Sequence, residues 1–505
     1  MTGLVERVGI RSLAVAVSLM LSAWCLYQDP VINNDGILYM RAGEAILAGG
    51  WSSGMAVYPW PLYSWLVALL HQATGLALEP AAHLLDFALQ ALAVWAFITV
   101  VKELGGDRRT MLVAALVILV HPPFNEYRSF VVRDFGYWAF YLVALGSLLR
   151  YAKAPGIGAA LAWGAWMVLA TLFRIEGLVI LFLAPLALLL VRERPFAARC
   201  GQLVKAQVVA LALLLVIAVW SLAGAPIGQP GRLTEPVQWL QEFSAQLAGG
   251  FRQKAAALAQ AVLNQYSSSY AMAGLLALLG VILLGKLIGT LTPLYAVLAL
   301  HAWRSRLVPA LAGTGRVLAW LVLVQTSILV GFLANNFFLP GRHAVALALT
   351  AMLVVPFSLV ALYDRWRARD PRAPTARWLF PAVCAVLVVM AVDGLYSFGP
   401  SKRYLREAGL WLKARTAAEA KVHGNNRIVA YYAGKRSETW ADALTWEHTA
   451  ALLKDESWRN YDYVAVAIDR RHPERAALLA AALGRAPLAR FANGRGDQVL
   501  VFATR

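Results

Sequence analysis

The chain has 505 residues, of which 60% are hydrophobic and 15% charged, and its formal net charge is +18. Apolar runs recur along most of its length, which excludes a soluble globular fold and defines an all-α polytopic membrane protein. The basic excess does not imply nucleic acid as a partner. Lys and Arg fall in short clusters between apolar runs, the pattern of positive-inside topology.

In chain order, spans are expected at 10–27, 80–101, 110–124, 134–150, 157–173, 177–191, 206–223, 270–290, 316–334, 344–363 and 376–394, eleven in all. Each is near the roughly 20 residues that cross a bilayer, the shorter ones with help from their flanks. The first follows Arg7 and Arg11 and ends in "SAWCLYQ", which offers no small-residue cleavage site. It therefore reads as an uncleaved helix with a cytoplasmic N-terminus. With that orientation, the cytoplasmic segments as far as Asp393 hold 19 Lys or Arg and the outer ones 8. The asymmetry fixes the expected topology, and with it a multi-pass protein of the cell (inner) membrane.

Parity also decides two ambiguous stretches. "YPWPLYSWLVALLHQATG", 58–75, is apolar enough to span, but a span there would invert every later basic cluster. It is expected as an interfacial or re-entrant helix on the outer side, where Tyr and Trp are at home. By the same reasoning 270–303 is expected as one span followed by an interfacial segment. Cys25, Cys200 and Cys384 lie far apart, with no spacing that suggests a disulfide framework or a zinc site.

The outer loops then cover 28–79, 121–134, 224–269 and 335–343, and the third holds an amphipathic pattern, "VQWLQEFSAQLAGGFRQKAAALAQAVLNQY". From about 396 the composition changes. "REAGLWLKARTAAEAK" is helical, whereas "RIVAYYAG", "YDYVAVAID" and "QVLVFATR" read as short strands. The expected division is a membrane domain, 1–395, and a small extracytoplasmic α/β domain, 396–505.

Polar groups on the outer side cluster in four places. The first loop brings Asp29, Asn33, Asn34, Asp35, Arg41 and Glu44, and the loop before the fourth span brings His121, Glu126, Arg128, Arg133 and Asp134. The turn "FRIEG" brings Arg174 and Glu176, and "NNFFLPGRH" brings Asn335, Asn336, Arg342 and His343. Each has an ordinary structural reading. Asp29 precedes Pro30 and marks a turn, Asp35 caps a helix, and Asp134 complements a helix dipole. Arg174 pairs with Glu176 to end two helices, and Arg342 snorkels. Taken together, carboxylates and arginines facing one side suggest that an anion is bound and a proton moved.

These motifs, in this order, resemble the GT-C superfamily of polyprenyl-phosphate-sugar-dependent membrane glycosyltransferases. That superfamily includes protein O-mannosyltransferases, the lipid A aminoarabinose transferase and rhizobial lipopolysaccharide transferases. "NNDGILYMRAGEAILAGGW" resembles the first-loop motif, with Asp35 in the aspartate position and Tyr39 one turn on. The 58–75 stretch resembles the Pro-rich interfacial helix. "YRSFVVRDFGYWAFYLVA" resembles the second acidic motif, with Asp134 as its aspartate, and "LPGRHAVALALTAMLVVP" the late arginine motif. Two departures stand out. No lysine precedes the proline in "YPWP", so Tyr58 stands there and Arg342, Arg128 or Arg174 is left to meet a donor phosphate. His343 replaces a common tyrosine.

The resemblance implies an inverting enzyme that moves a sugar from a polyprenyl-phosphate donor to a cell-envelope glycan, lipopolysaccharide or protein. Asp35 is the implied general base and Asp134 its support. Tyr39, Tyr58, Arg128, Arg133, Arg174, Glu176, Arg342 and His343 are the implied donor-phosphate and substrate residues. No cofactor is certain; in relatives with pyrophosphate donors the acidic positions, here Asp35 and Asp134, hold a divalent metal. Membrane lipids are the remaining partner. The alternatives are an O-antigen polymerase or ligase, a transporter or flippase, and a non-catalytic scaffold. The first would place its key loop late in the chain, and the second its polar groups at the bilayer midplane.

Overall fold

The computed structural model describes residues 9–191, 193–222, 249–309, 311–368, 376–396, 399, 401–435 and 445–504. Each of the eleven expected spans coincides with a helix or with helices joined at a bend. Among the described residues, five helices are long and apolar enough to cross a membrane, or seven if each of two bent pairs is one span. The helices Ile157–Phe173 and Glu176–Leu183 are apolar but shorter, and Arg108–Leu119 has 12 residues. The chain is a multi-pass membrane protein.

The bends have local causes. Helices Gly341–Met352 and Val355–Ala368 meet at 46°. Pro356, in the first turn of the second, has no N–H to continue the ladder. Thr292 adopts φ 68°, and Pro293 then opens the helix Pro293–Arg304 at its first position, where a missing N–H costs nothing. This second helix was expected to lie at the interface. One of its faces packs inward: Tyr295, Leu298 and Ala302 are buried, and the Tyr295 hydroxyl donates to the Val117 carbonyl at 3.0 Å, while Val297 and Leu300 stay exposed.

Two compact units emerge. One comprises 1–22, 84–127 and 133–395 and is helical throughout its described part. Its densest pairing sets Asp134–Lys153 against Ile157–Phe173. Gly136 permits it, because a Cβ there would lie 2.3 Å from the Phe173 ring. Phe140 and Trp166 stack beside this contact, 5.8 Å apart.

The other unit comprises 23–83, 128–132 and 396–505. It holds the helices Asn34–Val57 and Leu62–Thr74 and a four-stranded sheet of order β1-β2-β4-β3. The strands are β1 Val422–Gly424, β2 Tyr463–Ile468, β3 Ala489–Ala492 and β4 Gln498–Ala503. β1 runs parallel to β2, whereas β4 is antiparallel to both β2 and β3. Val464, Val466, Ile468, Leu500 and Phe502 bury one face against Leu452, Leu479 and Leu483.

Two of the three expected tail strands form. "RIVAYYAG" does not: it is the helix Arg427–Tyr432. Asn426 decides this, its Oδ1 accepting from the Ile428 and Val429 amides at 3.0 and 3.4 Å, which starts a helix in place of a strand. The sheet positions go instead to β1 and β3, too short to show a period. Of the expected amphipathic stretch, 237–266, residues 237–248 lie outside the described residues, and 249–261 are helical as expected.

Candidate functional site

In the helical unit one cluster stands out. Arg174 follows the helix Ile157–Phe173, and Glu176 opens the next helix. Its guanidinium bonds Asp134 through NH1 and Glu176 through NH2, while Nε donates to Glu176 Oε2 at 3.2 Å. Asp134 and Arg174 have side-chain exposures of only 2% and 6%, so both charges are compensated inside the protein. NH2 also lies 3.0 Å from His343 Nδ1 and 3.1 Å from Nε2. A guanidinium has only donors, so the imidazole nitrogen facing it accepts, and His343 is neutral. The Tyr137 ring lies under the guanidinium at 5.9 Å, and Phe332 packs on His343 at 4.3 Å.

This cluster forms one end of a pocket. The other wall is apolar: Ile328, Leu329 and Phe332 from the helix Leu311–Asn336, and Ala346 and Leu347 from Gly341–Met352. Arg342, His343 and Gln325 complete the lining. The two faces follow from helical spacing, since 325, 328, 329 and 332 share one stripe. Chemically, the pocket offers a cationic, hydrogen-bonding end continuous with an oily wall. That suits an amphiphile with an anionic group.

Asp134, Arg174, Glu176, Arg342 and His343 are thus brought together. Arg133 lies immediately before the helix Asp134–Lys153 and does not line the pocket. The expected local pairing of Arg174 with Glu176 is present. Asp134 joins it through a bond spanning 40 positions of chain, which no local pattern reveals.

The remaining expected residues lie in the other unit. Asp35, half-buried, sits in the first turn of Asn34–Val57, and Asn33 holds the cap position. The Asn33 side chain does not cap; its Oδ1 accepts from the Val131 amide at 2.8 Å. Gly36 follows, where a Cβ would lie 2.8 Å from both Ile32 and Val131. The Ile32 amide donates to the Tyr432 hydroxyl at 3.0 Å, and that hydroxyl donates to Glu79 Oε1 at 2.7 Å. The segment before Asp35 is therefore braced from two sides. Tyr39 packs edge-on to Tyr58 and Tyr63, centroids 5.4 and 5.1 Å apart. Arg128 is fully buried in this unit, near Cys25, and is not a pocket residue.

Tyr137, Phe332 and Gln325 escaped the reading of the sequence. Tyr137 stands three residues after Asp134 on one helix face, and Gln325 opens a short polar stretch, "QTS", in a largely apolar span; these were the available signals. Among the described residues no group of three or more His, Cys, Asp or Glu could hold a metal ion. Of the two positions expected to hold a metal if one binds, Asp134 shares the Arg174 guanidinium with Glu176, and Asp35 belongs to the other unit.

The fold is similar to that of the oligosaccharyltransferase of Archaeoglobus fulgidus, solved with Zn and sulfate. The TM-score is 0.56 at 15% identity, over 94% of this chain and 69% of that one. A second structure of that enzyme, AglB, with an inhibitory peptide and a dolichol-phosphate, gives 0.52 at 13% identity over 97% and 74%. ArnT from Cupriavidus metallidurans matches 97% of both chains at 16% identity, with a TM-score of 0.41, too low to add to the fold assignment. No protein-family model and no curated protein matches the sequence.

Proposed function

We propose that this protein is an inverting glycosyltransferase that takes a sugar from a polyprenyl-phosphate donor and places it on a hydroxyl of an envelope glycan, lipopolysaccharide or protein. The observation that carries this reading is the pocket, which joins Arg342, Arg174 and His343 to the apolar wall of Ile328, Leu329, Phe332 and Leu347. A lipid phosphate matches both ends. The AglB structure, of the same fold, holds a dolichol-phosphate, a molecule of that chemical class.

Arg342 is the phosphate-facing cation in this reading. Arg174 is largely committed to Asp134, Glu176 and His343, so its part is to hold the wall rigid and lend charge. Asp134 orients Arg174. Asp35 is the general base: it takes the acceptor hydroxyl proton as the oxygen attacks the anomeric carbon. The bond from that carbon to the phosphate oxygen breaks, and its electron pair leaves on the polyprenyl phosphate. One displacement inverts the anomeric centre. No step is assigned to a metal.

The sidedness proposed is an inner-membrane protein with a cytoplasmic N-terminus and residues 396–505 in the periplasm. The test is turnover in lipid nanodiscs with a panel of polyprenyl-phosphate sugars and an envelope extract as acceptor source. Release of polyprenyl phosphate supports the reading. Absence of release from every donor by folded protein moves it to the polymerase or transporter classes.

A further inference from the structure

The helix Leu311–Asn336 ends in a way its sequence does not require. A helix closes most easily on a residue in the left-handed region, where glycine and then asparagine sit with least strain. Asn335 and Asn336 stand at the end, yet Phe337 takes that conformation, with φ 52°. Its amide donates to the Leu333 carbonyl at 2.8 Å, the bond that closes a helix of this kind. Asn336 is occupied otherwise, its Nδ2 donating to the Phe332 carbonyl at 2.9 Å. A bulky aromatic residue in this conformation persists only where its surroundings hold it.

Those surroundings are the helix at 249–261. The Phe251 ring lies 5.0 Å from the Phe337 ring, centroid to centroid, and Lys254 Nζ stands 4.8 Å from the Phe337 centroid. An ammonium over an aromatic face is attracted by the ring's quadrupole. Phe251 and Phe337 pack against two buried clusters at once. One lies around Ala255 of the same helix; the other holds Leu339 together with Leu329 and Leu347 of the pocket wall. The next helix begins at Gly341, so only 338–340 lie between. Leu339 is fully buried, Pro340 has φ −65°, and the His343 amide donates to the Pro340 carbonyl at 3.2 Å. A connection this short and this anchored has little slack, and its proline cannot turn about φ. The place of Phe337 therefore sets the place of Arg342.

We infer that Phe337 is a positioning residue for Arg342, held by Phe251 and Lys254, so that the helix at 249–261 fixes where that cation meets its ligand. The inference rests on the proposed donor class and adds what holds the phosphate-facing cation in place. Phe337 itself touches no reacting atom. Phosphate recognition by a guanidinium depends on geometry as well as charge, since its N–H groups form a planar fork. A displaced Arg342 keeps its charge and loses its aim. The loss then falls on the phosphate end of a ligand and not on its lipid chain.

The experiment is binding in nanodiscs, with polyprenyl phosphate and the uncharged polyprenol as probes. Wild type is compared with Phe337→Gly, Arg342→Gln and the double variant. Glycine is at home at φ 52°, so Phe337→Gly removes the ring without straining the chain. It should weaken polyprenyl phosphate by about five-fold or more and leave polyprenol unchanged. In the Arg342→Gln background the same substitution should weaken nothing further, because no cation is left to misplace. Phe251→Leu acts from the far side of the contact and leaves the backbone at 337 untouched. It should repeat the pattern, and it decides the question if Phe337→Gly does not fold. Equal weakening of both probes, no weakening of either, or the same loss with and without Arg342 overturns the inference and leaves the donor class standing. Folded wild type that holds polyprenyl phosphate no better than polyprenol overturns the donor class, and this inference with it.

Discussion

Arg174 shares one guanidinium between Asp134, on the neighbouring helix, and Glu176, two residues along the chain. Three charges are fixed by one side chain at the junction of three helices. Removing the cation would leave two buried carboxylates facing each other. Breaking such a group costs about 3–5 kcal/mol, so Arg174→Ala should lower the melting midpoint sharply and abolish turnover. Arg174→Lys should rescue little, since an ammonium cannot reproduce the fork. The triple variant Asp134→Asn, Arg174→Met, Glu176→Gln should regain stability without activity. Melting followed by intrinsic fluorescence, alongside turnover, checks all three.

Gly36 lets the chain beside Asp35 pack against Ile32 and Val131. A Cβ would have to sit 2.8 Å from each, and the contacted atoms belong to branched side chains near their backbones. Overpacking of this kind costs about 1–3 kcal/mol. Gly36→Ala should lower turnover more than it lowers the melting midpoint, because it displaces the start of the helix that carries Asp35. Equal losses in both would make Gly36 merely structural.

Tyr432 holds the same segment from the tail. Tyr432→Phe removes the acceptor of the buried Ile32 amide and the donor to Glu79. An unsatisfied buried amide costs about 1–3 kcal/mol. Hydrogen exchange at 30–34 should accelerate in this variant while the sheet core at 464–468 stays protected. Acceleration throughout the unit would contradict a local brace.

His423 gives the pH dependence. Burial, with the neighbouring His448 adding to it, lowers its pKa from 6.5 to about 4. The unfolded chain then binds more protons than the folded one between these values. The stability it contributes is full above pH 6.5 and is lost as pH falls towards 4, at most about 3 kcal/mol at 1.36 kcal/mol per pH unit. Exchange at 463–468, followed from pH 7 to 4.5, should speed up in wild type and flatten in His423→Phe.

How much of this was legible follows from the range of each interaction. The starts of the helices at 34 and 134 show because Asp, Asn and Gly punctuate apolar periodicity within a few residues. The pairing of Arg174 with Glu176 shows because it is local. Asp134 reaching Arg174, and Tyr432 reaching Ile32, do not show, since no spacing encodes a contact made across 40 or 400 positions. "RIVAYYAG" misled because its apolar run is real but Asn426 caps it first. Gln325 was not singled out in the sequence, because only the hydroxyls of Tyr141 and Thr350, on other helices, orient it.

The central claim is donor turnover with Asp35 as base. The most direct measurement is release of polyprenyl phosphate from a panel of polyprenyl-phosphate sugars by wild type and Asp35→Asn in nanodiscs, with the anomeric configuration of the product determined. The account predicts release by wild type with inversion, and a rate lowered by about 10²–10⁴-fold in the variant, the usual range for a general base. Release at equal rates by both proteins, or retention of configuration, would contradict it.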